Sequence, residues 1–296
     1  MTTTFVADVA NQVQKFWSPI FQSKLKEETI LPSLVSKQYE GSIQNYGDTV
    51  YVSAVDRPTA VRKTVGTGAY DSYSSQKLST TRVSIAADTI IEAGYVIENL
   101  AMLQSQIGAQ DSAIRQGLFE ALEIELNNYL YSKVAPSTSA PDHSIASVSD
   151  FNASQLGATR ILASQAKWGQ NNRYLLADPQ YFQDLLNATT MTSSDYSSTD
   201  APVVGGKFVL QRFGFNIIED NSAGMATGVS PLGTTTDLAL AFVPDWLLFV
   251  MQQGVTFKVS DLHAQSKRGF LLTAELLVGA SLGIEGANKH IKIYNT

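Results

Sequence analysis

The residues best able to do chemistry in this chain are scattered. Its three histidines, His143, His263 and His290, lie in different segments, none with a second histidine or an acid at ligand spacing. Catalytic and metal sites need several convergent groups, so no such site is indicated. His263 lies between expected strands in Ser260-Asp261-Leu262-His263-Ala264-Gln265-Ser266-Lys267-Arg268 and reads as a polar contact. The absence of cysteine excludes disulfides and thiolate metal sites. Gly205-Gly206-Lys207 lacks the G-x-x-x-x-G-K-[ST] spacing with which backbone amides wrap a phosphate. Gly66-x-Gly68 has no third glycine opening a helix, and no G-x-S-x-G elbow occurs. Glu120, Glu123 and Glu125 resemble a carboxylate cluster, but their spacing spreads them around the outside of a helix. A solvated or intersubunit face accounts for them better than catalysis. The sequence thus indicates no catalytic residue, no cofactor and no metal.

Composition narrows the class further. Of 296 residues only 16% are charged and 44% are apolar, against roughly 25% charged in ordinary globular chains. Low charge with ample Ser, Thr, Asn and Gln suits a protein that hides its surface against neighbours, or a secreted β-rich adhesin. A net charge of -6 argues against a dedicated nucleic-acid binder, which needs clustered Lys and Arg. No apolar run reaches the ~18 residues that cross a bilayer. The start, Met1 to Val9, has neither the positive charge nor the apolar stretch of a signal peptide. A soluble protein made and used in the cytosol is expected, with no membrane partner.

The pattern of elements begins with helical spacing. Phe5, Val9, Val13 and Phe16-Trp17 recur at helical intervals before Ser18-Pro19, and a second helical stretch runs from Ile20 to Val35, kinked or divided by Pro32. From Gly47-Asp48 the period changes. Thr49-Val50-Tyr51-Val52 and Thr80 to Ile85 read as two strands around a polar excursion that should need a partner surface. The clearest element is a helix over 110–131, with Ile114, Leu118, Leu122 and Leu126 four apart and Ala121, Tyr129 and Leu130 beside them. Asp150 is expected to cap a second helix reaching about Lys167. Tyr174 to Ala177 reads as a buried strand, and Asp178-Pro179 as the start of a helix. Residues 188–206 read as an exposed loop. Strands are expected over 215–218, 238–242, 247–250, 255–259, 270–278 and 290–294. The fold class is α+β, with helices in the first half and strands in the second.

This order resembles the major capsid protein of tailed double-stranded DNA bacteriophages, the fold that also floors herpesvirus shells. Particular stretches look like those of short-tailed podophages: Gly47 to Val52, Ile90 to Gly108, Asn172 to Tyr181, and Arg212-Phe213-Gly214-Phe215-Asn216-Ile217. The resemblance implies an N-terminal arm (1–44), a strand and E-loop hairpin (45–90), and a P-domain with a long spine helix (91–147). An A-domain (148–251) and returning P-domain strands (252–296) follow. It implies self-assembly into hexamers and pentamers of an icosahedral capsid enclosing double-stranded DNA, held by weak non-specific contact. A separate scaffolding protein and a portal would assist, in the bacterial host cytoplasm, and the mature location would be the virion. Intersubunit contacts would come from Phe5, Val9, Val13, Phe16 and Trp17 of the arm and from Arg57, Arg62, Lys63, Tyr70 and Tyr73 of the E-loop. An encapsulin-like nanocompartment, which shares the fold, and a tail-associated or secreted adhesin are the rival readings.

Overall fold

A computed structural model describes residues 29–39, 49–65, 75–98, 111–134, 144–145, 148–188, 209–222, 224, 238–265 and 268–295. The expected arm helices before Thr29 and the expected loop beyond Ala188 lie outside the described residues. Within them the chain is α+β, as its periodicities indicate. Helices are α1 (Leu31–Leu34), α2 (Asp111–Tyr131), α3 (Ala153–Gln165) and α4 (Pro179–Asn187). Strands are β1 (Thr49–Val55), β2 (Thr80–Ala86), β3 (Thr89–Ile97), β4 (Ser144–Ile145), β5 (Arg173–Ala177), β6 (Val209–Arg212), β7 (Phe215–Glu219), β8 (Leu238–Phe242), β9 (Leu247–Asp261), β10 (Phe270–Leu282) and β11 (His290–Tyr294).

Three sheets organise these strands. The largest has six, in the order β4-β11-β8-β5-β7-β6, and a second has three, β3-β10-β9. A two-stranded ribbon, β1-β2, pairs Thr49 with Ala86 through to Val55 with Thr80. In the six-stranded sheet β5 and β7 run parallel, while β8 is antiparallel to both β5 and β11. Successive strand residues point to opposite faces, and here both faces are covered. Leu176, Leu238, Leu240 and Phe242 turn toward Leu118, Leu122, Leu130 and the three-stranded sheet's Ala274, Leu276 and Val278. Leu175, Ala177, Ala239, Ala241, Ile291 and Ile293 turn toward Leu156, Tyr181, Phe182 and Leu185 of α3 and α4.

The helices have local reasons to start where they do. Asp178 accepts a bond from the Tyr181 amide at 3.0 Å, and Pro179 follows at the first helical position. The cap of α3 is Asn152, whose Oδ1 takes the amides of Ser154 and Gln155 at 2.9 and 3.4 Å. Asp150 is not that cap. The buried Phe151 fixes the entry instead, stacking on Tyr181 at 5.2 Å and donating its amide to Asp184 at 3.1 Å. Pro32 stands in the first turn of the short α1 rather than inside a longer helix. On α2 the apolar stripe forms as its spacing indicates, except that Ala121 faces solvent. Two separate strands expected over 247–250 and 255–259 are one, β9, with register shifts opposite Glu275, Leu277 and Val278. Such shifts bend a strand without ending it.

Leu122 is the centre of this packing on α2 and is 1% exposed. Replacing it with Asp buries an unpaired carboxylate, a cost of several kcal/mol against a domain stability of about 5–15 kcal/mol. Leu122→Asp is therefore expected to yield no folded subunit by circular dichroism. A normal yield of folded protein would contradict the packing described here.

Candidate assembly surfaces

A surface that associates must present apolar groups its own core does not use. The β1-β2 ribbon does this by construction. Two strands have two faces, and a single chain can cover only the root of one. Val50, Val52 and Ile85 pack there on Leu248, Val250 and Leu277, with Tyr39 closing the cluster. Beyond the root Tyr51 is 59% exposed, and Val55, Val61, Val65 and Leu78 are exposed as well. Arg82 lies over the Tyr51 ring at 4.5 Å, a stacking that orders both side chains on the open face.

The ribbon continues past its strands as two extended segments tied by side chains. The Asp56 amide donates to the Ser79 carbonyl at 3.0 Å, and the Thr81 hydroxyl to the Asp56 carboxylate at 3.1 Å. Further out, the Thr59 amide donates to Gln76 Oε1 at 2.9 Å. Arg57 and Arg62 stand exposed along this stretch, and Lys63 is half-buried. Tyr70 and Tyr73 lie outside the described residues. So do Phe5, Val9, Val13, Phe16 and Trp17.

The angle at which the ribbon leaves the body is set by one glycine. A Cβ on Gly279 would stand 1.9 Å from the Ala86 carbonyl oxygen and 2.9 Å from the Ala87 Cα. Only hydrogen fits where the end of β2 crosses β10. On the other side, residues 35–39 support the same root. Ser36 bridges to Leu248 in parallel, and the Phe249 amide donates to the Ser36 carbonyl at 3.0 Å.

A second apolar surface was not apparent from the sequence. The outer end of the three-stranded sheet exposes Val259 at 61%, with Tyr95 and Phe257 also open on the same face. Tyr95 faces Leu272 across β3 and β10, and Leu272 faces Val259 across β10 and β9, so three apolar side chains share one face. On the opposite face Lys258 pairs with Glu275. The alternation of these strands carried part of the signal, but which residues meet depends on the register of strands far apart in the chain.

Titratable groups serve structure here. Asp220 is buried and accepts from the Tyr131 hydroxyl and from the Ser222 amide, the latter at 2.8 Å. Burial first, then the Asp220 charge, pushes the Tyr131 pKa well above the phenol range. His290 sits against Trp246 with ring centroids 4.9 Å apart, its Nδ1 2.9 Å from the Gly286 carbonyl. Glu120 accepts from Gln116 at 2.8 Å, so it is a helix-surface group. Among the described residues no cluster of His, Cys, Asp or Glu could hold a metal, and no helix is long and apolar enough to cross a membrane.

Known proteins resemble this arrangement. A family model described as phage capsid protein matches residues 101–294. No curated protein sequence matches the chain. Among solved structures, a chain from Mycobacterium phage Che8 is similar with a TM-score of 0.71 and 18% identity, covering 95% of this chain and 96% of that one. The capsid of cyanophage P-SCSP1u is similar with a TM-score of 0.73 and 17% identity, covering 99% and 95%. The capsid of Helicobacter pylori bacteriophage KHP30 has a TM-score of 0.69 and 10% identity, covering 100% and 98%.

The geometry at Gly279 is directly testable. Gly279→Ala forces the ribbon root off β10, and overpacking of this kind costs about 1–3 kcal/mol. The variant is expected to stay folded, to unfold at lower denaturant, and to form no closed particles by electron microscopy. Regular particles at wild-type stability would show that the ribbon angle does not matter.

Proposed function

The chain belongs to the phage capsid protein family, and from that premise we propose that it builds an icosahedral shell of hexamers and pentamers around double-stranded DNA. It is a structural subunit and not an enzyme. The observation that carries the reading is the β1-β2 ribbon, an ordered element with apolar side chains open to solvent on a body whose core is already closed. Such a ribbon is stabilised by neighbours. At roughly 25 cal/mol per Å² of apolar area buried, many small contacts hold a shell together, and weak individual contacts let misplaced subunits dissociate.

In this reading 45–90 is the strand and E-loop, and 91–147 with 252–296 form the P-domain around α2. Residues 148–251 form the A-domain, and 1–44 the arm. The arm residues Phe5, Val9, Val13, Phe16 and Trp17 and the E-loop residues Arg57, Arg62, Lys63, Tyr70 and Tyr73 are the intersubunit contacts. A separate scaffolding protein, a portal and assembly in the bacterial host cytoplasm belong to the same proposal, as does the likeness to short-tailed podophages. The encapsulin-like and adhesin readings gain no support from any particular feature of the fold.

Negative-stain imaging of the expressed chain tests the reading, and deleting residues 1–28, which spares the buried Leu31 and Val35, sharpens it. The full chain is expected to form closed particles, and the deletion to form a folded subunit that does not. A monodisperse monomer from the full chain would remove the proposal. A deletion variant that collapses as unfolded chain would place the arm in the subunit's own core. At the E-loop, protease is expected to cut between Val65 and Gln76 quickly in free subunits and slowly in particles. Replacing Tyr70 and Tyr73 with Ala should weaken particle cohesion without shifting subunit unfolding. Equal cutting rates in the two states would exclude an intersubunit role for this segment.

A further inference from the structure

The Arg173 end of the six-stranded sheet gathers positive charge on a chain whose net charge is -6. Arg173 is only 4% exposed. Its Nε donates to the Gly169 carbonyl at 2.6 Å and its Nη2 to the Trp168 carbonyl at 2.9 Å, which clamps the guanidinium to the turn after α3. The Phe215 ring lies 5.9 Å away. Burial, and then the field of Arg160, lower the Arg173 pKa, and Arg160 lines a groove with Phe213, whose turn also lines a neighbouring cleft. Arg160 on α3 and Lys167 just after that helix are both exposed. Neither 153–177 nor 209–218 contains a single Asp or Glu. Like charges left together are unfavourable, and an anion between them relieves the repulsion.

The adjoining space is shaped for an anion with oxygen acceptors. A cleft of about 580 Å³ is lined by Gln170, Asn171, Asn172, Gln211, Arg212 and Asn216, and by the Phe213-Gly214 turn. Lys167, Asn172, Phe213 and Gly214 hold left-handed backbone, with φ of 62°, 59°, 51° and 83°. Amide and guanidinium donors with no carboxylate among them suit phosphodiester oxygens, which such groups position without reading sequence.

We propose that this end of the sheet faces the shell interior and contacts the phosphate backbone of the enclosed duplex. The inference rests on the reading of the chain as a DNA-enclosing shell subunit and names the residues that touch the DNA. The test measures anisotropy of a short labelled DNA duplex across a salt series, with the full chain and with Arg160→Gln combined with Lys167→Asn. Both side chains are exposed, and Asn tolerates the left-handed backbone at position 167, so thermal unfolding is expected to be unchanged. Affinity at low salt should fall roughly tenfold or more, and the slope of log affinity against log salt by about 0.9 for each phosphate no longer neutralised. Unchanged affinity and slope would overturn the assignment, as would a wild-type chain that does not bind the duplex. Competition by polyglutamate equal to that by DNA, at matched charge, would mean an acidic protein partner and also overturn it. Nuclease-treated particles separate this site from the wider reading. Protected DNA inside them, with an unchanged variant slope, removes this site alone. Particles without DNA remove the DNA-enclosing reading, and this site with it.

Discussion

Strand β8 has no solvent face, and both hydrophobic cores close against it. Leu238, Leu240 and Phe242 point to one side and Ala239 and Ala241 to the other, all 2% exposed or less. The large residues meet α2 and the three-stranded sheet, while the small ones let α3 and α4 approach. Fully burying one Leu side chain is worth about 1.5–3 kcal/mol, so this strand alone carries a substantial part of the subunit's stability. Everything that associates hangs from the frame it fixes.

The two main sheets are joined where the chain leaves β8 for β9 and β10 for β11. Trp246 fills that joint between Phe242 at 5.9 Å and His290 at 4.9 Å. The backbones come so close that a Cβ on Gly283 or Gly286 would stand 2.4 Å from the Asp245 or Trp246 carbonyl oxygen. A joint packed this tightly transmits load between the sheets instead of flexing. A subunit that assembles into a shell needs that property, because its neighbours load it at more than one place.

Local rules made much of this legible. Helix α2 starts one residue from where its periodicity puts it, and Asp178-Pro179 starts α4 as expected. Strands β8 and β11 have the bounds their apolar runs suggest. What escaped depends on distant partners. Strand β3, Thr-Ile-Ile-Glu-Ala-Gly-Tyr-Val-Ile, has no clean alternation of its own and is fixed by pairing with Phe270 to Val278, far along the chain. Asp150 and Asn152 are equally good caps by type, and a tertiary bond from Phe151 to Asp184 decides between them. The association surfaces were half legible. The ribbon's need for a partner follows from its two strands, but the apolar group of Tyr95, Leu272 and Val259 exists only through the register of β3, β10 and β9.

Helix α2 does not meet the same surroundings along its length. Its middle, Leu118 and Leu122, is sealed in the core. Its C-terminal end is partly polar inside: Asn127 is fully buried and, among the described residues, neither its side-chain polar atoms nor Asn128 Oδ1 has a bonding partner. Each buried polar group left this way costs about 1–3 kcal/mol. The bonds from Tyr131 and Ser222 to Asp220 offset only part of that cost. Gly224 is confined in the same place, since a Cβ there would stand 2.8 Å from both Asn128 Oδ1 and Tyr131 Cδ2. The helix is thus held by apolar packing at its C-terminal end as well, where Leu130 and Tyr131 are buried in the same core as Leu118 and Leu122, and that packing offsets the polar cost beside it.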